Sequence, residues 1–128
     1  MKRPIKIVLI GAGSTYTPEL IEGLINKRKD LELRELALMD IDSEKLEIVG
    51  SMARRMLQAA EISWPVNFYD SYDCVAGADY VITQIRVGQM TARINDEKIP
   101  LKYGMIGQET CGIGGFFKAM RTIPVLYK

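Results

Sequence analysis

Apolar and polar positions alternate in blocks along this chain, and the blocks change period. Ile5-Lys6-Ile7-Val8-Leu9-Ile10 is nearly all apolar and rich in β-branched residues, which predicts a buried strand. Gly11-Ala12-Gly13-Ser14 breaks it as a turn. Pro18 suits the first turn of a helix, where its missing N–H costs nothing, and Glu19 to Lys29 continues that helix with Leu20, Leu24 and Ile25 on one face. Glu35 to Asp40 predicts a second strand with Leu36-Ala37-Leu38-Met39 as its apolar body. Ser43 is expected to cap a long helix from Glu44 to about Ala60, along which Leu46, Val49, Met52, Ala53, Met56 and Leu57 recur at helical spacing.

The second half alternates in the same way. Val66 to Tyr69 predicts a third strand, Ser71 to Ala76 a short helix or turn, and Asp79 to Ile85 a fourth strand. Thr91 to Tyr103 reads as a helix that Pro100 interrupts, Gly104 to Gly115 as a glycine-dense loop, and Phe116 to Ile123 as a last helix. Strand and helix in alternation predict an α/β fold: a Rossmann-like, doubly wound, mostly parallel sheet. Phe116, Phe117, Met120, Ile123, Val125 and Leu126 carry apolar surface almost to the last residue with no cap or polar tail. This ending reads as a single domain, 1–128, cut inside a larger fold; the alternative is a short natural domain whose last helix docks on its own sheet.

Composition narrows the function classes. The chain has 128 residues, 48% apolar and 26% charged, as an ordinary soluble domain does. Its net charge is +1, and the run Lys27-Arg28-Lys29 is followed at once by Asp30 and Glu32, so it reads as a solvated helix end and not as a nucleic-acid stripe. The opening apolar run is too short for a signal peptide or a membrane span, and a cytoplasmic location is the default expectation. Cys74 and Cys111 form no C-x-x-C. There is no histidine, so no mechanism that needs one can be completed by these residues.

Strand, Gly-x-Gly and helix together form a phosphate cradle. Gly11 allows the tight turn, Gly13 lets the backbone approach a pyrophosphate, and the helix that follows points N–H groups at the anion. Ser14, Thr15 and Thr17 can add hydroxyl donors. Tyr16 stands where the third glycine of G-x-G-x-x-G belongs, so the helix is expected to sit differently. Asp40 closes the second strand, where a carboxylate can accept bonds from ribose hydroxyls and repel a 2′-phosphate. Asp42 competes for that part; the alternative is that Asp40 is only a turn residue and that the glycines serve only a tight turn.

The segment after the fourth strand carries more specific text. It reads Gln84-Ile85-Arg86-Val87-Gly88-Gln89-Met90-Thr91-Ala92-Arg93, then Asp96 to Gly104, Gly107-Gln108-Glu109-Thr110-Cys111-Gly112, and Arg121-Thr122-Ile123-Pro124. With the opening Gly11 to Glu19, these blocks strongly resemble glycoside hydrolase family 4, in particular its 6-phospho-β-glucosidases, over essentially the whole chain. The Gly-x-Gly-Ser-x-Tyr-Thr-Pro-Glu opening of that family also accounts for Tyr16. The Arg-Thr-Ile-Pro ending looks more like the β branch than the α branch. Gln89 departs from a glycine common in this stretch.

The resemblance implies NAD- and divalent-metal-dependent hydrolysis of 6-phospho-β-glucosides by oxidation, elimination, addition and reduction, an exception to the usual pair of carboxylates. It implies NAD as a recycled cofactor, manganese as the metal of the complete enzyme, a 6-phospho-glucoside or phosphorylated disaccharide as substrate, and a homo-oligomer. Gly11, Gly13, Ser14 and Thr15 would form the phosphate loop, Asp40 the ribose acid, and Thr83, Gln84 and Ile85 the nicotinamide side. Arg93 would bind substrate, its alternative being a surface ion pair with Glu97 one turn on. Glu109 would support the catalytic base, its alternative being a loop carboxylate that caps nearby N–H groups. Arg86 would contact a phosphate, its alternatives being packing or an ion pair. The metal ligands, the second sugar-binding asparagine and the tyrosine base lie in later segments of the family, so neither Cys111 nor Tyr103 takes those parts. An NAD-dependent dehydrogenase of the 2-hydroxy-acid type, or a non-enzymatic NAD-binding module, would share the same fold.

Overall fold

The computed structural model describes residues 3–127. Its elements run β1 (Ile5–Ile10), α1 (Thr17–Asn26), β2 (Leu33–Met39), α2 (Ser43–Ala59), β3 (Val66–Tyr69), a 3-10 turn (Tyr72–Val75), β4 (Tyr80–Thr83), α3 (Gln89–Leu101) and α4 (Gly112–Leu126). The chain forms two compact units, Met1–Ile85 and Arg86–Lys128.

In the first unit the four strands line up as β3-β2-β1-β4, every neighbouring pair parallel. Ile7 faces Leu36 on one side and Tyr80 on the other. The expected Rossmann-like α/β sheet is therefore present. Because strand side chains alternate, β1 and β2 divide their residues between two faces. Ile7, Leu9, Leu36 and Leu38 pack with Ile21 and Leu24 of α1 and with Leu46, Ala53 and Leu57 of α2. Val8, Ile10, Ala37 and Met39 turn the other way, towards Cys74 of the 3-10 turn. Lys6 and Glu35 share that second face, where Lys6 Nζ lies 3.0 Å from Glu35 Oε2. Tyr69 and Asn67 donate to the other oxygen of Glu35 at 2.5 and 3.0 Å.

Several boundaries differ from those read off the pattern. The first helix ends at Asn26, three residues early, because Lys27 and Arg28 donate to carbonyls three residues back and the chain tightens into turns. The cap of α2 is Asp42 and not Ser43: the Asp42 carboxylate accepts the Lys45 N–H at 3.1 Å, and Ser43 is the first helical residue. Met52, expected on the buried stripe of that helix, is exposed; Gly50 is buried in the helix instead, beneath the ring of Phe68. The fourth strand stops at Thr83, where its partner β1 ends and turns into Gly11.

The second unit holds α3 and α4. Pro100 does not cut its helix short, since α3 continues to Leu101. Pro100 cannot donate to the carbonyl four residues back, that of Asp96, and Gly114 packs against this carbonyl: a Cβ on Gly114 would stand 2.6 Å from it. The expected glycine loop is shorter than its composition suggests, because α4 starts at Gly112. Gly114 and Gly115 are helical glycines at close approach, with Gln108 O and Thr110 O only 2.0 and 2.6 Å from where their Cβ atoms would be. Phe116, Phe117, Met120, Ile123 and Leu126 of α4 are exposed.

Candidate functional site

At the carboxyl end of β1 the chain turns on Gly11, whose φ of +86° lies in the left-handed region that glycine adopts without strain. The N–H groups of Gly11 and Ala12 both donate to Met39 O, at 2.8 and 2.9 Å, which ties the turn to the end of β2. A Cβ on Gly11 would meet Gln84 O at 2.6 Å, so the backbone leaving β4 also passes close by.

Thr17 and Gln84 lock the loop from beneath. Buried Thr17 donates its hydroxyl to Ala12 O at 2.8 Å, and Gln84 Nε2 donates to Thr17 Oγ1 at 2.6 Å and to Gly11 O at 3.2 Å. The Thr17 hydroxyl is thus used inside the loop and is not a spare donor for a phosphate. Ser14 Oγ accepts the N–H of Tyr16 at 3.2 Å, while Thr15 is exposed. Tyr16 itself is exposed. Its bulk stands outside the helix–strand contact, and Thr17 takes the packed place. That is how the chain tolerates a tyrosine in a glycine's position.

Asp40 sits opposite. One carboxylate oxygen accepts the Gly13 N–H at 2.8 Å and the other accepts the Asp42 N–H at 2.9 Å. These bonds shape the turn after β2 and place the acid directly against the second glycine. A carboxylate oxygen has more than one acceptor site, so these bonds leave capacity for a hydroxyl donor. Thr83 ends β4, and Gln84 and Ile85 follow it next to the same glycine turn; Ile85 Cγ2 would be 3.3 Å from a Cβ on Gly11.

In the second unit Arg93 Nε donates to Glu97 Oε1 at 2.9 Å, the helical pair foreseen as its alternative role. The same Nε also stands 3.1 Å from Glu109 Oε2. Arg86 approaches that oxygen to 3.5 Å. Both contacts are at ion-pair distance without hydrogen-bond geometry. Two guanidiniums thus converge on Glu109, which is half-buried. Cys111 is exposed, as is Tyr103.

Two features escaped the pattern. Buried Asp96 of α3 receives both Nη groups of Arg121 of α4 in a bidentate pair. Lys45 Nζ pairs with Asp42 at 2.7 Å beside the glycine loop. In both pairs the partner's position in the fold, and not the local sequence, joins the two charges. Among the described residues no group of three or more histidine, cysteine, aspartate or glutamate side chains is placed to hold a metal ion. Among them, too, no helix is long and apolar enough to cross a membrane.

A parallel sheet in the order β3-β2-β1-β4, a glycine turn after β1 and an acid closing β2 define a Rossmann-like α/β domain. Residues 6–128 match the model of the Family 4 glycosyl hydrolases, and the chain belongs to that family. It is 52% identical to a probable 6-phospho-beta-glucosidase of Bacillus subtilis over 98% of this chain and 29% of that protein. It is 46% identical to the 6-phospho-beta-glucosidase of Escherichia coli over 99% of this chain and 29% of that one. The 6-phospho-beta glucosidase of Thermotoga maritima, solved with manganese, NAD+ and glucose-6-phosphate, superimposes with a TM-score of 0.88 at 44% identity, covering 96% of this chain and 30% of that one. The chain therefore spans under a third of the length of these relatives.

Proposed function

We propose that this chain supplies the NAD site and part of the sugar-phosphate site of an NAD-dependent 6-phospho-β-glucosidase, a cytoplasmic homo-oligomer when complete. The observation that carries the reading is the convergence of Arg93 and Glu109 at 3.1 Å, since the family resemblance assigns functional roles to both residues.

Gly11, Gly13, Ser14 and Thr15 would hold the pyrophosphate. The fit is supported by the close approach at Gly13, where a Cβ would stand 2.9 Å from Asp40 Oδ2 and leave no room for a side chain. Asp40 would accept from the ribose, and Thr83, Gln84 and Ile85 would line the nicotinamide. Bound NAD supplies a hydride acceptor that is regenerated within each turnover. Gln84 and Thr17 keep the loop in shape before the cofactor arrives, so less ordering remains for binding.

Arg93 would grip the phosphorylated sugar, a task that suits a planar guanidinium. Glu97 and Glu109 restrain its swing from two sides. Glu109, held between Arg86 and Arg93, would orient the catalytic base that the resemblance places outside this chain. The described residues do not provide a metal site.

The test uses the full-length protein with NAD, manganese and an aryl 6-phospho-β-glucoside. Release of the aglycone without net NADH, and its loss in Arg93→Ala, is the expected result. Steady accumulation of NADH would favour the dehydrogenase reading. Binding of NAD without turnover of any phosphorylated glucoside would favour a non-enzymatic module.

A further inference from the structure

The end of β2 carries a second acid and a cation that the reading above leaves idle. Asp42 caps α2 and holds Lys45 Nζ at 2.7 Å. Lys45 is not a remote surface residue: its Cβ and the Asp40 carboxylate both lie 2.9 Å from where a Cβ on Gly13 would stand. Lys45 and Asp40 thus bracket the same glycine. The Lys45 side chain, 61% exposed, has a flexible four-carbon stem and three rotatable donors, which suits it to a phosphate as a point charge.

We infer that the Asp42–Lys45 pair, together with Asp40, decides between NAD and NADP, because Asp42 holds back a lysine that would otherwise serve a 2′-phosphate. The inference rests on the proposed NAD site. With the pair closed, two carboxylates and one ammonium leave one net negative charge beside Gly13, and Glu44 adds another carboxylate in electrostatic reach of Lys45. A 2′-phosphate there meets repulsion, whereas a ribose hydroxyl meets an acceptor. The pairing also shows in the ionisation of both groups: the hydrogen bond from Lys45 lowers the Asp42 carboxyl below its ordinary value, and Asp42 raises the Lys45 ammonium above its own. Neutralising Asp42 removes one negative charge and frees one positive charge at the place where the two cofactors differ. Asp42 acts through Lys45 and is a positioning residue.

Asp42→Asn separates this role from capping, because the asparagine oxygen still accepts the Lys45 N–H while the charge that holds the ammonium is gone. NAD and NADP are titrated calorimetrically into the full-length protein and its variants. The ratio of the NADP to the NAD dissociation constant is expected to fall at least about threefold in Asp42→Asn, the scale of one exposed ion pair, and to return in Asp42→Asn with Lys45→Met. Lys45→Met alone leaves Asp42 unpaired and is expected to raise the ratio by about as much, which keeps the test open should Asp42→Asn fold poorly. An unchanged ratio in these variants, with NAD still bound, overturns this inference alone. Absence of NAD binding by the parent protein overturns the cofactor reading and this inference with it.

Discussion

Glu35 shows how a single charged residue can be built into a sheet face. It stands on β2 beside Lys6, Asn67 and Tyr69, and burial by itself pushes its carboxyl upward, the largest of the individual influences. The hydrogen bonds from Tyr69 and Asn67, with the bond and charge of Lys6, together outweigh burial and bring it from 4.5 down to about 2. A carboxyl lowered by folding contributes stability that is fully present above its unfolded value and is lost as pH falls through the folded one. Urea midpoints are therefore expected to hold above pH 4.5 and to drop between pH 4.5 and about 2. Glu35→Gln should flatten that acid limb. At neutral pH it should cost about 1.5–3 kcal/mol, the scale of hydrogen bonds to a charged group, because Lys6 loses its anionic partner. An acid limb as steep in Glu35→Gln as in the parent would rule this assignment out. Burial also raises the Cys74 thiol, which suits an inert core cysteine on the same face and not a reactive one.

At the scale of elements, close contacts fix how helices lie on strands. Gly50 lets α2 settle on Phe68 of β3, where an added Cβ would stand 2.4 Å from the ring. Gly50→Ala is expected to destabilise by about 1–3 kcal/mol through overpacking, and adding Phe68→Leu should recover part of that loss in a double-mutant cycle. Additive losses would mean that the ring is not what the methyl meets. The pair α3 and α4 is clipped by Asp96 and Arg121, and the Asp96 side chain is 4% exposed. Asp96→Asn is expected to cost about 1.5–3 kcal/mol, seen as lost amide-exchange protection in both helices. Protection lost in α3 alone would show that the clip does not hold α4.

On the scale of the whole molecule, the sheet and its two helices form one compact unit and the α3–α4 pair another. The glycine loop belongs to the first and the Arg93–Glu109 cluster to the second. The apolar face of α4 remains open, with Phe116 and Met120 about 60% exposed. Contiguous apolar surface of this kind promotes association. Sedimentation of the 128-residue chain is expected to show concentration-dependent self-association, reduced by replacing Phe116 and Met120 with serine. A strictly monomeric chain at high concentration would refute this.

The sequence by itself determined the element order, the parallel α/β class, the glycine turn at Gly11 and Gly13, and the acid at Asp40. Each of these is local: a run of β-branched residues, a glycine where φ must be positive, an acid one residue beyond a strand. Only the tertiary structure decided which neighbour each polar group found. Thr17 looked like a spare hydroxyl until Gln84, far along the chain, closed on it. Ser43 looked like the cap until Asp42 took the Lys45 N–H. Gly114 and Gly115 looked like loop until the carbonyls of Asp96, Gln108 and Thr110 left no space for side chains. Arg93 carried two readings in sequence, a helical pair with Glu97 or a site residue. In the fold it touches both Glu97 and Glu109, because the loop before α4 returns an acid to a helix laid down earlier. Long-range pairing of this kind depends on where chain segments meet in space, and periodicity along one segment holds no record of that.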